Sequence, residues 1–344
     1  MINASIVLLL FIICCFCSIG SFKSKKRQLI SYTIISIIIL IFVAFRDGNS
    51  LNDYSNYINL YNTNRIGEVE PSFYLIRDIT QHLGGIITLF FIYAFLGVSF
   101  KIIAIYKITD LLFLTLIIYI SNIMILHDMT QIRAGVTSGI FLFSIPYLAT
   151  QEKLKYCICC AVAIFFHSSG ILLLLPTLFW FSTIRNSEKL IFLLIPIGYL
   201  LGNTVLNLNN IPIESIRIKL EMYKSLQASN SAGLKDLNIF NPYILFRIAM
   251  FYILLWKGNI IQKHNPYFKP LIFVEAIGLF IFPVFSSIAI LGYRGSELIG
   301  VVEILLYPML YYVIRPNLFG KLIVILIGAL LLVVNLTYKH LIYI

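Results

Sequence analysis

Long apolar runs separated by short polar clusters recur along the whole chain. Residues 2–19, 29–45, 86–105, 111–126, 134–149, 156–166, 169–182, 189–203, 242–256, 270–290, 297–314 and 321–338 form such runs. Crossing a bilayer takes ~20 apolar residues at 1.5 Å rise per residue. A water-soluble chain of this size would show amphipathic patterning instead. In lipid the backbone must satisfy its own hydrogen bonds, which leaves helices as the spans. The pattern therefore predicts an all-α, polytopic integral membrane protein with about twelve transmembrane helices. It forms one domain over 1–344, with two longer segments, 46–85 and 204–240, on one side.

The joint that decides the topology is 156–182, "YCICCAVAIFFHSSGILLLLPTLFWFS". A single span here would turn every later loop to the other side. A break at "HSSG" keeps Lys257, Lys263 and Lys269 inside, and interrupted helices within a bundle often line a cavity. The break is the preferred reading. In 46–85, Asn52 or Asp53 is placed to cap a short helix with Tyr54, Tyr57, Ile58 and Tyr61 in one stripe. A second helix starts at "EPSFYLIRD", with Pro71 in its first position, and ends at Gly84-Gly85. In 204–240, Ile213, Ile216, Leu220, Tyr223 and Leu226 share a face opposite Glu214, Arg217, Glu221 and Lys224. That pattern predicts a helix lying in the interface.

Of the 344 residues, 60% are hydrophobic and 12% charged, with a formal charge of +11. In a soluble protein this excess would suggest nucleic acid as a partner, but here the positive-inside rule accounts for it. With the first run out-to-in, the inner loops and flanks hold twelve lysines (Lys101 among them) and three arginines. The other side holds seven arginines and four lysines. Lysine suffices to hold a loop inside, whereas the arginine fork suits phosphate and carboxylate. The first run is followed by "KSKKR", the reverse of a cleaved signal, and reads as a retained span. The six cysteines, in "CCFC" and "CICC", read as small buried hydrophobes.

Most charges sit at span ends, within snorkelling reach of water. Arg247 and Glu303 lie deeper, where a charge costs ~2.5–3.5 kcal/mol on insertion scales. They read either as an ion pair joining two helices or as the edge of a hydrated cavity, and Glu275 reads as structural. His167 falls at the break, Arg133 lies on one helical face with Thr130 and Thr137, and Arg294 and Glu297 sit in "GYRGSE". The chain has no G-x-x-x-x-G-K-[ST], G-x-G-x-x-G or H-E-x-x-H. "EVE" (Glu68 and Glu70) is the nearest thing to a metal-binding pair. Any group transfer must therefore use a donor that arrives already activated.

In order, "FRDG…NDYSNY", "EPSFYLI", "TQIRAG", "FFHSSGILLLLP" and "YRGSE" resemble the bacterial polysaccharide polymerases of the Wzy/EpsG type, over about 45–300. The resemblance implies a GT-C-like helical bundle in the bacterial inner membrane with its active site facing the periplasm. Its substrates, donor and acceptor, would be undecaprenyl-pyrophosphate-linked oligosaccharides, joined into O-antigen or a related polysaccharide. Membrane lipids and a chain-length regulator are the other expected partners; no cofactor and no metal is expected. Such chemistry needs a base for the acceptor hydroxyl and fixed positive charge for the departing diphosphate. His167 is the candidate base, with Asp53 and Glu70 as rivals. Arg46, Arg133 and Arg294 are the candidates for diphosphate, with Arg77 and Arg247 in reserve. Tyr54 and Tyr57 offer aromatic faces to sugar rings or to the bundle. A lipid-linked oligosaccharide flippase, an O-antigen ligase or another GT-C-like transferase are the alternatives.

Overall fold

The computed structural model describes residues 2–20, 22–51, 53–63, 69–202, 221, 225 and 237–342. The expected interfacial helix within 204–240, and Glu68 of "EVE", lie outside these residues. Among them the secondary structure is helical, apart from one isolated bridge between Leu51 and Ile342. The chain opens with α1 (Ile2–Ile19) and α2 (Lys25–Ala44), and the Ser24 side chain caps α2 by accepting from the Arg27 N–H at 3.2 Å. Two short helices follow, α3 (Tyr54–Asn62) and α4 (Pro71–Gln81). Gly84 and Gly85, at φ +100° and +73°, turn the chain into α5 (Gly85–Ile108), a conformation that favours glycine.

The central helices are α6 (Leu112–Thr130) and α7 (Ile132–Thr150). Every residue of α6 is buried, and from Tyr119 onward it adopts the wider π winding. Next come α8 (Lys153–Phe166), the tightly wound 3-10 helix α9 (Ser168–Trp180) and α10 (Glu188–Leu201). After the 203–236 stretch come α11 (Pro242–Trp256), capped by Asn241, and α12 (Phe268–Val284). The last two are α13 (Ala289–Val313), which includes two 3-10 turns, and α14 (Asn317–Tyr338).

The protein is a polytopic all-helical membrane protein. Seven described helices are long and apolar enough to cross a bilayer: α1, α2, α5, α6, α7, α13 and α14. Two shorter helices, α9 and α11, are also apolar. The expectation of about twelve transmembrane helices is corrected accordingly, because the expected spans 156–166, 189–203 and 270–290 fall on helices of 14, 14 and 17 residues. The 156–182 region is broken where the sequence predicts it. His167 is extended, at φ −154° and ψ 130°, between α8 and α9. The two helices fold back on each other, with the Tyr156 hydroxyl donating to the Leu173 carbonyl at 2.7 Å.

Two buried polar clusters fasten the interior. Lys101, counted above with the inner flanks, is instead wholly buried. It bonds Asp128 at 2.7 Å and the Gly135 carbonyl at 2.6 Å, and the Tyr119 hydroxyl donates to Asp128 at 2.8 Å. This pair joins α5, α6 and α7, where each ion needs a partner. In the second cluster Arg247 of α11 pairs with Glu275 of α12 at 3.1 Å and with Glu303 of α13. The ion-pair reading of Arg247 and Glu303 is therefore the one observed, with Glu275 as a third member.

Candidate active site

One end of the bundle gathers most of the sequence-derived candidates. The chain enters it at the start of α1, where the Asn3 amide donates to the Asp47 carbonyl and to Ser50, both at 2.7 Å. That contact anchors the 46–51 turn on the first helix. Tyr57 on α3 is buried against Phe73 and Phe90, with ring centroids at 6.3 Å from each. These contacts hold α3 and α4 down on α5.

Glu70 is the hub of the site. It precedes Pro71, which biases it to extended backbone, and it sits at φ −69° and ψ 154°. Its carboxylate does not cap its own helix. One oxygen, Oε1, accepts from the Ser168 N–H at 2.9 Å and lies 2.8 Å from His167 Nδ1. The other, Oε2, pairs with Arg133 Nη1. Burial alone would raise the Glu70 carboxyl, but His167, Arg133 and the Ser168 N–H together hold it well below the usual carboxylate range. An ionised carboxylate only accepts, so the proton of the His167–Glu70 bond belongs to Nδ1. Nε2 is then left as the acceptor.

His167 is presented by the reversal between α8 and α9. Its N–H bonds the Ala163 carbonyl at 2.9 Å and its carbonyl takes the Gly170 N–H at 2.8 Å. Gly170 is required by close approach, since a Cβ there would stand 2.8 Å from the Ala163 carbonyl carbon and the Ile164 nitrogen. Burial pushes the His167 imidazole below its ordinary value; the bond to Glu70 opposes this without reversing it. The shift favours the neutral ring.

Arg133 lies in the first turn of α7. The Thr137 hydroxyl, one turn further on, reaches both the Arg133 carbonyl at 3.1 Å and the Ala163 carbonyl at 3.2 Å, linking α7 to α8. The guanidinium stands 5.9 Å from the centre of the Tyr57 ring. Among the described residues its Nε has no hydrogen-bond partner. Asp53, at the head of α3, is pushed upward by burial; the charges of Arg294 and Arg133 and a bond from Asn56 oppose this. Arg294, exposed on α13, also acts on Tyr57 and His167. Asp53, Tyr57, Glu70, Arg133, His167 and Arg294 thus form one constellation drawn from five separate segments. α4, α7 and α9 all begin here, and helix N-termini favour anions.

The other candidates are placed elsewhere or held differently. Arg46 donates to the Met129 and Val43 carbonyls at 2.7 and 2.8 Å and stacks on Phe90 at 4.7 Å, so it ties α2 to α6. Arg77 is taken up by Asp78 and the Thr63 carbonyl at 3.1 Å. Arg247 lies in the buried cluster described above. Tyr54 stacks on Phe90 at 4.8 Å and so packs the bundle. The sequence reading missed the Ser168 N–H, a backbone donor with no side-chain signature. It also missed Asp128, although "HDMTQIRAG" carries that residue immediately before the site.

The model of the EpsG family matches residues 29–343, a span that includes every member of this constellation. No curated protein and no solved structure matches the chain. Given the extent of the family match, the chain belongs to the EpsG family.

Proposed function

We propose that this protein is a metal-independent glycosyltransferase that polymerises undecaprenyl-pyrophosphate-linked oligosaccharide repeat units at the periplasmic face of a bacterial inner membrane. The product is O-antigen or a related polysaccharide. The observation that carries this reading is the Glu70 carboxylate, which holds His167 on one oxygen and Arg133 on the other. A base and a cation are thereby set side by side, as transfer from a sugar diphosphate requires.

In the proposed reaction His167 Nε2 takes the proton of the acceptor sugar hydroxyl. The acceptor oxygen bonds to the anomeric carbon of the donor, whose bond to the diphosphate oxygen breaks. The electron pair leaves with the lipid diphosphate, whose developing charge faces Arg133 and Arg294. Glu70 fixes the tautomer and orientation of the imidazole. Asp53, beside Arg294, holds that cation over the site and is the remaining rival as base. Tyr57 fixes the Arg133 guanidinium.

The flippase alternative calls for charges lining a path through the bundle. The deep charges here instead pair with one another, Lys101 with Asp128 and Arg247 with Glu275 and Glu303. The deciding experiment uses purified protein in liposomes supplied with lipid-linked repeat units and EDTA. Chains longer than one repeat on a lipid carrier support the reading. Movement of repeat units across the bilayer without elongation would replace it with transport.

A further inference from the structure

The geometry points to a proton-binding site, outside the His167 constellation, in which Glu275 and Glu303 share one hydrogen. The cluster contains two cations, Arg247 and Lys339, and three carboxylates, Glu275, Glu297 and Glu303. Lys339 is committed to Glu297 at 3.0 Å and lies over the Tyr243 ring at 4.5 Å. Arg247 alone is left to serve both Glu275 and Glu303, and each of these is only 2% exposed. Other polar neighbours, the hydroxyls of Tyr243, Ser296 and Tyr307, bring no positive charge. One negative charge is therefore in excess where an unpaired ion is strongly disfavoured.

The hydrogen-bonding inventory leads to the same place. Glu275 Oε2 is buried and has no partner among the described residues. Glu275 Oε1 and Glu303 Oε1 nevertheless pair with Nη2 and Nε of the same Arg247 guanidinium, which sets the two carboxyls side by side. Two ionised carboxylates can only accept, so a bond between them requires a hydrogen on one of them. A proton supplies both the missing charge and the missing donor. It suits the site better than a metal ion, because among the described residues no three His, Cys, Asp or Glu side chains gather as ligands. The proton comes from water, and its uptake leaves the Arg247–Glu275–Glu303 group neutral.

The site is tied to the constellation through α13. Ser296 of that helix accepts from Arg247 Nη1 at 2.8 Å, two positions after Arg294. Arg247 thus holds, through Ser296 and Glu303, the helix that carries one of the candidate diphosphate arginines.

The test is infrared difference spectroscopy of the purified protein, together with thermal unfolding of Glu275→Gln, Glu303→Gln and the double variant. In wild type a protonated-carboxyl C=O band is expected, lost in either single variant because the remaining glutamate then ionises against Arg247. Both single variants should fold and unfold within a few degrees of wild type, while the double variant, with Arg247 unpaired, unfolds far lower. A band unchanged in both single variants, or its absence from wild type, overturns the proposal. So does failure of both single variants to fold, since that would mean both carboxylates serve as anions. None of these readouts depends on glycosyl transfer, so they stand or fall apart from the proposed function.

Discussion

Glu70 and His167 are separated by 97 positions in the sequence and meet at 2.8 Å, carboxylate oxygen to imidazole Nδ1. Neither residue alone would distinguish a catalytic site from an ordinary polar contact. Their meeting, with Arg133 on the second carboxylate oxygen, gives the imidazole a fixed tautomer and a neighbouring cation.

Replacing His167 by alanine is expected to cut elongation by about 10²–10⁴-fold, the usual contribution of a positioned general base. Single repeat units on the lipid carrier should accumulate. Glu70→Gln keeps the shape but permits the wrong tautomer, and should lower kcat more than it changes KM. Normal chain-length ladders in His167→Ala would remove histidine as the base.

Arg133→Lys retains the charge and loses the fork. Glu70 can still find a cation, so the protein should insert and fold, whereas diphosphate stabilisation should fall by about 2.7–4 kcal/mol, or roughly 10²–10³ in rate. Polymer length measured on gels is the readout. Long-chain product at wild-type levels would count against a diphosphate role for Arg133.

Acid should stop elongation before it unfolds the site. Burial lowers the His167 value, so the ring stays neutral through pH 7 and gains a proton only below its ordinary ~6.5. Elongation should be flat above that point and fall as pH drops through the native histidine value. The depressed Glu70 contributes stability that is fully present above its unfolded value of ~4.3 and lost as pH falls further toward its native one. A pH–rate profile for kcat/KM checks the order of the two events; activity that rises in acid would contradict it.

Arg46→Ala should act on stability rather than on chemistry. It removes two hydrogen bonds from a charged donor to the Met129 and Val43 carbonyls, worth about 1.5–3 kcal/mol each. A lower unfolding temperature in detergent is expected, with near-normal elongation per folded molecule. A stable but inactive variant would return Arg46 to the candidates for direct substrate contact.

Much of the fold was legible because lipid imposes one requirement, internal backbone bonding, that long apolar runs express directly. The break at His167 was legible too, since "HSSG" interrupts an apolar run with polar side chains and a glycine. What the sequence hid was partnership. Arg46 and Arg133 both flank apolar spans, yet Met129 and Val43 engage the first while Glu70 takes the second. Such choices depend on which helix ends meet, and the spacing of residues along one helix carries no record of that. Lys101 looked like a flank lysine because its partner Asp128 lies on another helix, in a stretch whose π winding shifts side chains off the α-helical period.

The winding of α9 also changes how far its residues reach. A 3-10 helix advances ~2.0 Å per residue, so the thirteen residues of Ser168–Trp180 extend roughly 26 Å, against ~20 Å for the same number in an α-helix. A stretch that falls short of the bilayer by residue count comes close to its ~30 Å hydrocarbon thickness by distance. The chain leading away from His167 thus covers more depth per residue, and its shortening on relaxation to α-helical pitch would draw the imidazole inward by roughly 6 Å.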